Sequence, residues 1–414
     1  MPDTLAAYPF FSLAFDRDAN PTDPHEAQAL RAHLRSDPPA HLVVVSHGWN
    51  NDMADARALY EALFRNVRGR DHTLDLVVAG VFWPSKKMAD RDLIPGGAAS
   101  VGDGSEAALR QALADAEADA TPEEAEHLER ARVLTRVLEH EEAQDRFVDH
   151  LRTLLPDPEA GADAAPARLR DLSGHELLDL LAPDDLDDGD ADMGGAAGIG
   201  NPLGKLRAAA RNLLNLTTYY RMKRRAGATG KALAGVLDDL AAAAPDVPMH
   251  LVGHSFGARL VTSAAAHTEA ARPASMTLLQ AEFSHNAFAR NYQGTRDGDF
   301  REVVTLKRVR GPIVVTHTRN DKAVGYAYPL ASKLAGQAAS GLGDADSLYG
   351  GLGSNGAQHT PEAQSGVMVA AGQPYPFRAG TVHNLLADAF IADHSDVTGP
   401  EVAHALVAAM QADG

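Results

Sequence analysis

Short apolar runs alternate with amphipathic stretches along much of the chain, and the runs end at glycine, proline or a polar residue. His41–Ser46 and Leu76–Phe82 are rich in β-branched residues and have the length of buried parallel strands. Between them, residues 52–67 repeat apolar side chains at the spacing of one helix face. Strand, helix and strand in this order predict a βαβ unit and therefore an α/β fold.

The same alternation returns in the second half of the chain. Helical patterns cover 206–223, 229–244, 258–271 and 399–411, and strand patterns cover 249–252, 276–282, 312–317 and part of 380–388. There is no internal repeat. These elements predict a mostly parallel central sheet flanked by helices.

Residues 85–205 interrupt this pattern. Residues 105–155 are rich in Ala, Glu, Leu and Arg, which favours two or more exposed helices, whereas the acidic stretch 157–204 is rich in Pro, Asp, Gly and Ala and indicates a flexible loop or linker. We therefore expect a core formed by 1–84 and 206–414, with 85–205 as an insertion. A cap over a site and a solvated acidic decoration explain the insertion equally well.

The charge distribution supports this division. The chain has 414 residues, 45% of them hydrophobic, and a net charge of −18, so it can bury a sizeable core. Residues 101–200 hold 26 acidic and 8 basic residues, and the remaining residues balance. The net charge argues against a nucleic-acid binder. The basic side chains of 206–223 indicate a solvated helix face, with pairing to the acidic insertion or to an anionic surface as alternatives.

The residue inventory narrows the possible chemistry and location. The absence of cysteine excludes disulfides, zinc–thiolate sites and cysteine nucleophiles, and the 18 histidines show no metal-ligand spacing, so we expect neither a metal nor an organic cofactor. No signal peptide and no apolar run long enough to span a membrane is recognised, which predicts a cytoplasmic protein. Leaderless secretion leaves no such mark, and the oligomeric state stays open.

The most specific motif is Gly253-His254-Ser255-Phe256-Gly257. It directly follows the strand pattern 249–252 and directly precedes a helical pattern, which is the context of a nucleophile elbow. Such a turn lifts the serine hydroxyl above the sheet, near a helix N-terminus that stabilises negative charge. Ser255 is therefore the candidate nucleophile; the alternative is a glycine-rich turn with an idle serine.

A second motif, Ser46-His47-Gly48-Trp49-Asn50, lies at the end of the first long strand pattern. Ligands of parallel α/β sheets collect at these strand ends, and an acyl-transfer serine needs backbone N–H donors directed at the developing oxyanion. We expect these donors to be the N–H groups of Phe256 and Trp49. Gly48 allows a close approach of the loop, and His47 is expected to shape the loop rather than to catalyse.

Taken together, the His-Gly loop, the strand that ends in Trp83-Pro84-Ser85 and the segment Leu-Val-Gly-His-Ser-Phe-Gly resemble the α/β-hydrolase superfamily. Within it, the chain is similar to a bacterial family of serine hydrolases related to lipases and esterases. The matching parts cover roughly 40–84 and 206–414 and leave out the insertion. The resemblance implies an α/β-hydrolase fold and a triad in the chain order nucleophile, acid, histidine.

The acid of such a triad usually follows the strand after next beyond the elbow. Asp321 lies four residues past the strand pattern 312–317 and suits this role, although a turn-capping aspartate is the alternative. Glu282, at the end of the preceding strand pattern, is the alternate acid.

The histidine should lie in a loop beyond the last strand. We prefer His394, which follows the strand region 380–388 and precedes the final helix, over His383, which is expected inside that strand. His359, in a glycine-rich loop, is a weaker third candidate.

These residues predict a serine hydrolase that cleaves carboxylic esters, with a small molecule or a lipid as the ester substrate. His394 would take the proton of Ser255, Asp321 would orient the imidazole, and water would release an acyl-enzyme. We place Gly48, His254, Trp83 and Tyr326 in the substrate pocket. An amidase or peptidase with the same triad, and a non-catalytic binding protein of the same fold, are the alternatives.

Overall fold

The computed structural model describes residues 2–49, 51–85, 106–155, 165–183, 202–292, 294–321 and 350–412. The strands of this part of the chain are β1 (Asp3–Leu5), β2 (Tyr8–Ala14), β3 (His41–Ser46), β4 (Leu76–Phe82), β5 (Met249–His254), β6 (Ser275–Leu279), β7 (Ile313–His317), β8 (Ala363–Val367) and β9 (Val382–Leu386). They form one sheet in the order β1-β2-β4-β3-β5-β6-β7-β9-β8, in which β1 is antiparallel to β2 and the other pairs are parallel. The predicted α/β class is confirmed.

Helices flank this sheet. They are α1 (Pro24–Ser36), α2 (Met53–Arg70), α3 (Glu106–Ala118), α4 (Pro122–Leu134), α5 (Glu141–Arg152), α6 (Arg168–Asp171), α7 (Gly174–Leu181), α8 (Pro202–Ala243), α9 (Phe256–His267), α10 (Arg301–Thr305), α11 (Leu352–Asn355) and α12 (Pro400–Gln411). None of the helices in the described ranges combines the length and apolarity needed to cross a bilayer.

The central strands lie where the sequence places them. Both ends of β3 and β4 coincide with the predicted bounds, because a short β-branched run buried on both faces gives a clear signal. The predicted strand 276–282 is too long at its carboxyl end. β6 stops at Leu279 because Gln280 adopts a positive φ of 44° and turns the chain.

Helix α8 is continuous, whereas the sequence pattern predicts two helices, at 206–223 and 229–244. Gly227, between them, and Gly230, at the start of the second, blur the pattern, and packing rather than a break requires Gly230. A Cβ atom on Gly230 would lie 2.2 Å from the carbonyl oxygen of Leu260, so glycine lets α8 and α9 approach closely.

The prediction misses the N-terminal elements β1, β2 and α1, and also β8. β1 has only three residues, and β8 (Ala-Gln-Ser-Gly-Val) is largely exposed at the edge of the sheet, so neither has the apolar pattern of a central strand.

The described residues of the insertion are more regular and more buried than predicted. Helices α3, α4 and α5 lie between 105 and 155 as expected, but they are not simply exposed, since Leu113, Leu128 and Phe147 are buried in the same apolar cluster as residues of the sheet. Within the predicted flexible stretch 157–204, residues 165–183 form α6 and α7.

Ion pairs join the acidic insertion to the basic helix α8, so the predicted solvated basic face is wrong. Arg207 lies 3.2 Å from Glu106, Arg221 lies 3.3 Å from Glu124, and Arg225 lies 3.0 Å from Asp119. The pairing alternative is the correct one.

Candidate functional site

The predicted site residues cluster at one edge of the sheet. Ser46, Gly253 and Leu278 are in register on the adjacent strands β3, β5 and β6, so the carboxyl ends of these strands are level. The loops that follow the ends of parallel strands meet at the same edge, which is where ligands of α/β sheets bind. Ser255 and the His47–Trp49 loop extend from this edge.

Ser255 occupies a strained turn between β5 and α9. Its backbone angles are φ 57° and ψ −124°, a region that residues with a side chain rarely adopt. Its N–H donates to the carbonyl oxygen of Leu279 at 3.0 Å, and its carbonyl oxygen accepts from the N–H of Glu282 at 3.2 Å. The neighbouring strand end therefore holds the strained residue in place.

Glycine is required on both sides of the serine hydroxyl. A Cβ atom on Gly257 would lie 2.3 Å from the carbonyl oxygen of Ser46, and one on Gly48 would lie 2.5 Å from the Cβ atom of Ser255. The Gly48 backbone thus lies directly against the side chain of Ser255, which is the approach expected of an oxyanion-binding loop.

His47 shapes this loop, as predicted. Its Nδ1 donates to the carbonyl oxygen of Gly48 at 2.9 Å, and its Nε2 accepts from the N–H of Trp83 at 3.4 Å. Burial lowers the pKa of His47 to about 4, so the ring is neutral at physiological pH. The indole of Trp83 stacks on this ring at 5.6 Å and donates to the carbonyl oxygen of His47. Trp83, predicted to line the substrate pocket, thus packs against and bonds to the His47 loop.

The two residues predicted to supply oxyanion donors lie next to Ser255. Phe256 is the first residue of α9, where backbone N–H groups have no acceptor within the helix. The rings of Trp49 and Phe256 are 6.0 Å apart, and Tyr219 of α8 packs 5.1 Å from Phe256 and 6.4 Å from Trp49. Tyr219 is a member of this aromatic wall that the sequence pattern did not single out.

His394 and Asp321 form a buried pair. His394 Nδ1 lies 2.8 Å from Asp321 Oδ2, and the Asp321 side chain is fully buried while that of His394 is 20% exposed. Burial alone would lower the pKa of His394, but the adjacent Asp321 carboxylate outweighs it and raises this pKa above its usual value. This is the geometry of a histidine that is oriented by an acid through Nδ1 and leaves Nε2 available.

Gln280 holds Asp321 from the other side. Its Nε2 donates to Asp321 Oδ2 at 3.0 Å, and its Oε1 accepts from the Thr316 hydroxyl at 2.9 Å. Sequence reasoning missed Gln280. The available signal was a polar residue directly after a buried strand, two positions before Glu282.

His254 fixes the position of the His394 backbone. Its Nε2 donates to the carbonyl oxygen of His394 at 2.8 Å, and the two rings are 5.0 Å apart. Burial and the nearby His394 lower the pKa of His254 to about 3, so it remains a neutral donor. His254, which precedes Ser255 and is predicted to line the substrate pocket, is thus bonded to the loop that carries His394.

Further hydrogen bonds join the loops that carry Asp321 and His394. Asp388 accepts from the Thr318 hydroxyl at 2.8 Å and from the N–H of Arg319 at 3.0 Å, and Asn320 donates to the carbonyl oxygens of Asp388 and Ile391. Residues 318–320 and 388–391, which precede Asp321 and His394 in the chain, are therefore bonded to each other.

The alternate histidines, His383 and His359, have hydrogen-bond partners other than Asp321. His383 lies within β9, opposite Val314, and its Nε2 accepts from the N–H of Arg378 at 3.0 Å. The Nδ1 of His359 is bonded to the side chain of Asn286 at 2.9 Å. Neither histidine is bonded to Asp321 in the described residues, and Tyr326 lies outside them.

Glu282, the alternate acid, is buried beside the pair without bonding to the His394 ring. It is 5% exposed, and burial raises the pKa of its carboxyl to about 8, partly offset by the nearby His394. Glu282 is therefore largely protonated at neutral pH, unlike the ion-paired Asp321.

Glu282→Gln should change how stability depends on pH. A raised folded-state pKa means that the folded chain keeps a proton which the unfolded chain loses above pH 4.5, so Glu282 costs stability progressively between pH 4.5 and about 8, by at most about 5 kcal/mol. The melting temperature of Glu282→Gln relative to the native chain should therefore rise over this range. Glu302→Gln, at an exposed helix position, is the matched control. An offset that stays constant with pH would contradict the prediction.

Comparison with protein-family models, curated proteins and solved structures found no match. The described residues also contain no group of three or more His, Cys, Asp or Glu side chains arranged to hold a metal ion.

Proposed function

We propose that the chain is a serine hydrolase of the α/β-hydrolase type that cleaves carboxylic esters. The observation that carries the proposal is the connected arrangement of the strained Ser255, the adjacent His254, and the His394–Asp321 pair to which His254 is bonded. Two further observations support it. The carboxyl ends of the parallel strands lie at this site. Ser255, Asp321 and His394 follow the chain order nucleophile, acid, histidine.

The proposed reaction assigns one role to each group. Ser255 Oγ attacks the ester carbonyl while His394 Nε2 accepts the hydroxyl proton, and the imidazolium then returns this proton to the leaving alcohol. Asp321 stabilises the imidazolium through Nδ1. The backbone N–H groups of Phe256 and Trp49 stabilise the oxyanion. Water attacks the acyl-enzyme by the same route and releases the acid.

An aromatic wall favours an apolar acyl or alkyl group in the substrate. Trp49 is partly exposed and packs on the buried rings of Tyr219 and Phe256, and an aromatic face contributes strongly to binding apolar groups. We therefore expect an ester with an apolar substituent.

A fluorophosphonate probe tests the proposal directly, because it reacts with activated serines. We expect stoichiometric labelling of the full chain, with the modified peptide containing Ser255, and loss of labelling in Ser255→Ala. Ser36→Ala, which removes an exposed serine at the end of α1, should label like the native chain. A folded native chain that does not label would favour the non-catalytic binding protein.

A substrate panel then separates ester from amide hydrolysis. Nitrophenyl esters of graded acyl length should be cleaved faster than the matching anilides. The reverse order would identify an amidase that uses the same residues.

A further inference from the structure

A polar cleft lies between the insertion and the rest of the chain, away from Ser255. It has a volume of about 340 Å³ and four arginines in its lining, and we call it the arginine cleft. Its lining includes Arg17 and Asp18 from the loop after β2, Glu124 from α4, and Arg221, Arg224 and Arg225 from α8.

Two of these arginines are buried and share their acidic partners. The side chains of Arg221 and Arg225 are each 9% exposed, and both lie near the carboxylate of Asp119, at 3.5 Å and 3.0 Å. Glu124, the other partner of Arg221, also accepts from the backbone N–H of Thr121 through the same oxygen. Burying a guanidinium is costly unless its donors are satisfied, and here the carboxylates serve several donors at once.

Donor capacity is left over in this cleft. Nε and Nη2 of Arg221 are buried without a hydrogen-bond partner, although Nη2 faces Asp119 at 3.5 Å. Arg224 is exposed at the cleft, and Arg17 uses one nitrogen to donate to the carbonyl oxygen of Ala120. Within the described residues, the four guanidinium groups face the carboxylates of Asp18, Glu124 and the adjacent Asp119.

We propose that the arginine cleft binds a small phosphorylated molecule or inorganic phosphate. Guanidinium groups bind phosphate through paired N–H donors, and a compact anion with several oxygens can bond the exposed guanidinium groups of Arg17 and Arg224, next to the buried charges of Arg221 and Arg225. The cleft does not include Ser255 or His394, so this proposal does not depend on the proposed hydrolase activity.

Calorimetric titration and thermal melting with inorganic phosphate and pyrophosphate test the proposal on the full chain. At ionic strength held constant with NaCl, we expect saturable binding and a melting temperature that rises with ligand concentration. Arg224→Ala and Arg17→Ala remove exposed side chains, so the chain should remain folded, and each should weaken binding by about tenfold. Arg35→Ala, an exposed arginine of α1, is the control and should bind like the native chain.

Three results would overturn the proposal. The first is the absence of saturable binding of either anion at concentrations up to tens of millimolar. Any binding that needs higher concentrations is too weak for a specific site. The second is equal binding by the native chain and both cleft variants. The third is binding to vesicles that contain phosphatidylglycerol without binding to the soluble phosphates, which would assign the arginines to a lipid surface.

Discussion

Replacing His394 with alanine is expected to lower kcat/KM for a cleavable ester by about 10⁵-fold or more, whereas His383→Gln should leave it close to the native value. A serine hydroxyl is a weak nucleophile without a base, and loss of the histidine costs nearly as much as loss of the whole triad. His394 is the histidine bonded to Asp321, at 2.8 Å. His383 uses its Nε2 to accept from the backbone N–H of Arg378.

Steady-state hydrolysis of a nitrophenyl ester, with melting temperatures measured in parallel, checks this prediction. Glutamine is chosen at position 383 because its amide oxygen can accept the same backbone hydrogen bond, so the strand should remain intact. Loss of activity in His383→Gln with retention in His394→Ala would exchange the two assignments and leave the hydrolase proposal standing. Retention of activity in both variants would exclude His394 and His383 as the catalytic base.

The local part of the candidate site could be predicted from the sequence. The strand β5, the turn at Ser255 and the helix α9 are contiguous in the chain, so residues 249–267 contain the whole local pattern. The strands β3 and β4 were equally clear, because burial on both faces leaves an unbroken apolar run. The structure adds the reason for the glycines, which is the contact of Gly257 with the carbonyl oxygen of Ser46.

Long-range contacts could not be predicted. His254 and His394 are 140 residues apart, and Gln280 and Asp321 are 41 residues apart, so no spacing in the chain relates them. The ion pairs between α8 and the insertion could not be predicted for the same reason. A basic helix face has the same sequence pattern whether it contacts solvent or carboxylates. Exposed edge strands such as β8 leave no apolar signal.

The choice of Asp321 over Glu282 as the candidate acid depends on the structure more than on the sequence. Glu282 and Asp321 both follow strands at the same edge of the sheet, and both lie close enough to His394 to affect its pKa. Their environments differ. Asp321 accepts from His394 and from Gln280, whereas Oε1 of Glu282 is buried without a hydrogen-bond partner. Hydrogen bonds stabilise a carboxylate in its charged form, whereas burial raises the pKa of the Glu282 carboxyl to about 8 and keeps it largely protonated at neutral pH.

Asp321→Asn is therefore expected to lower kcat for ester hydrolysis by about 10⁴-fold, whereas Glu282→Gln should retain most of the activity. Asparagine keeps the volume of the side chain, and Gln280 can still donate to its oxygen, so the variant should fold like the native chain. What it loses is the negative charge that, in the proposed mechanism, stabilises the imidazolium formed when His394 accepts the serine proton. Single-turnover and steady-state rates on the same ester, compared between the two variants, measure the difference.

The pH profile distinguishes loss of this charge from a general loss of structure. Because the Asp321 carboxylate raises the pKa of His394, its removal should move the acidic limb of kcat/KM to lower pH, in addition to lowering the plateau. Glu282→Gln should leave this limb nearly in place, since Glu282 is already protonated over that pH range. If Glu282→Gln instead caused the large loss and shifted the limb, Glu282 would be the acid of the triad, and the bond between His394 and Asp321 would be structural.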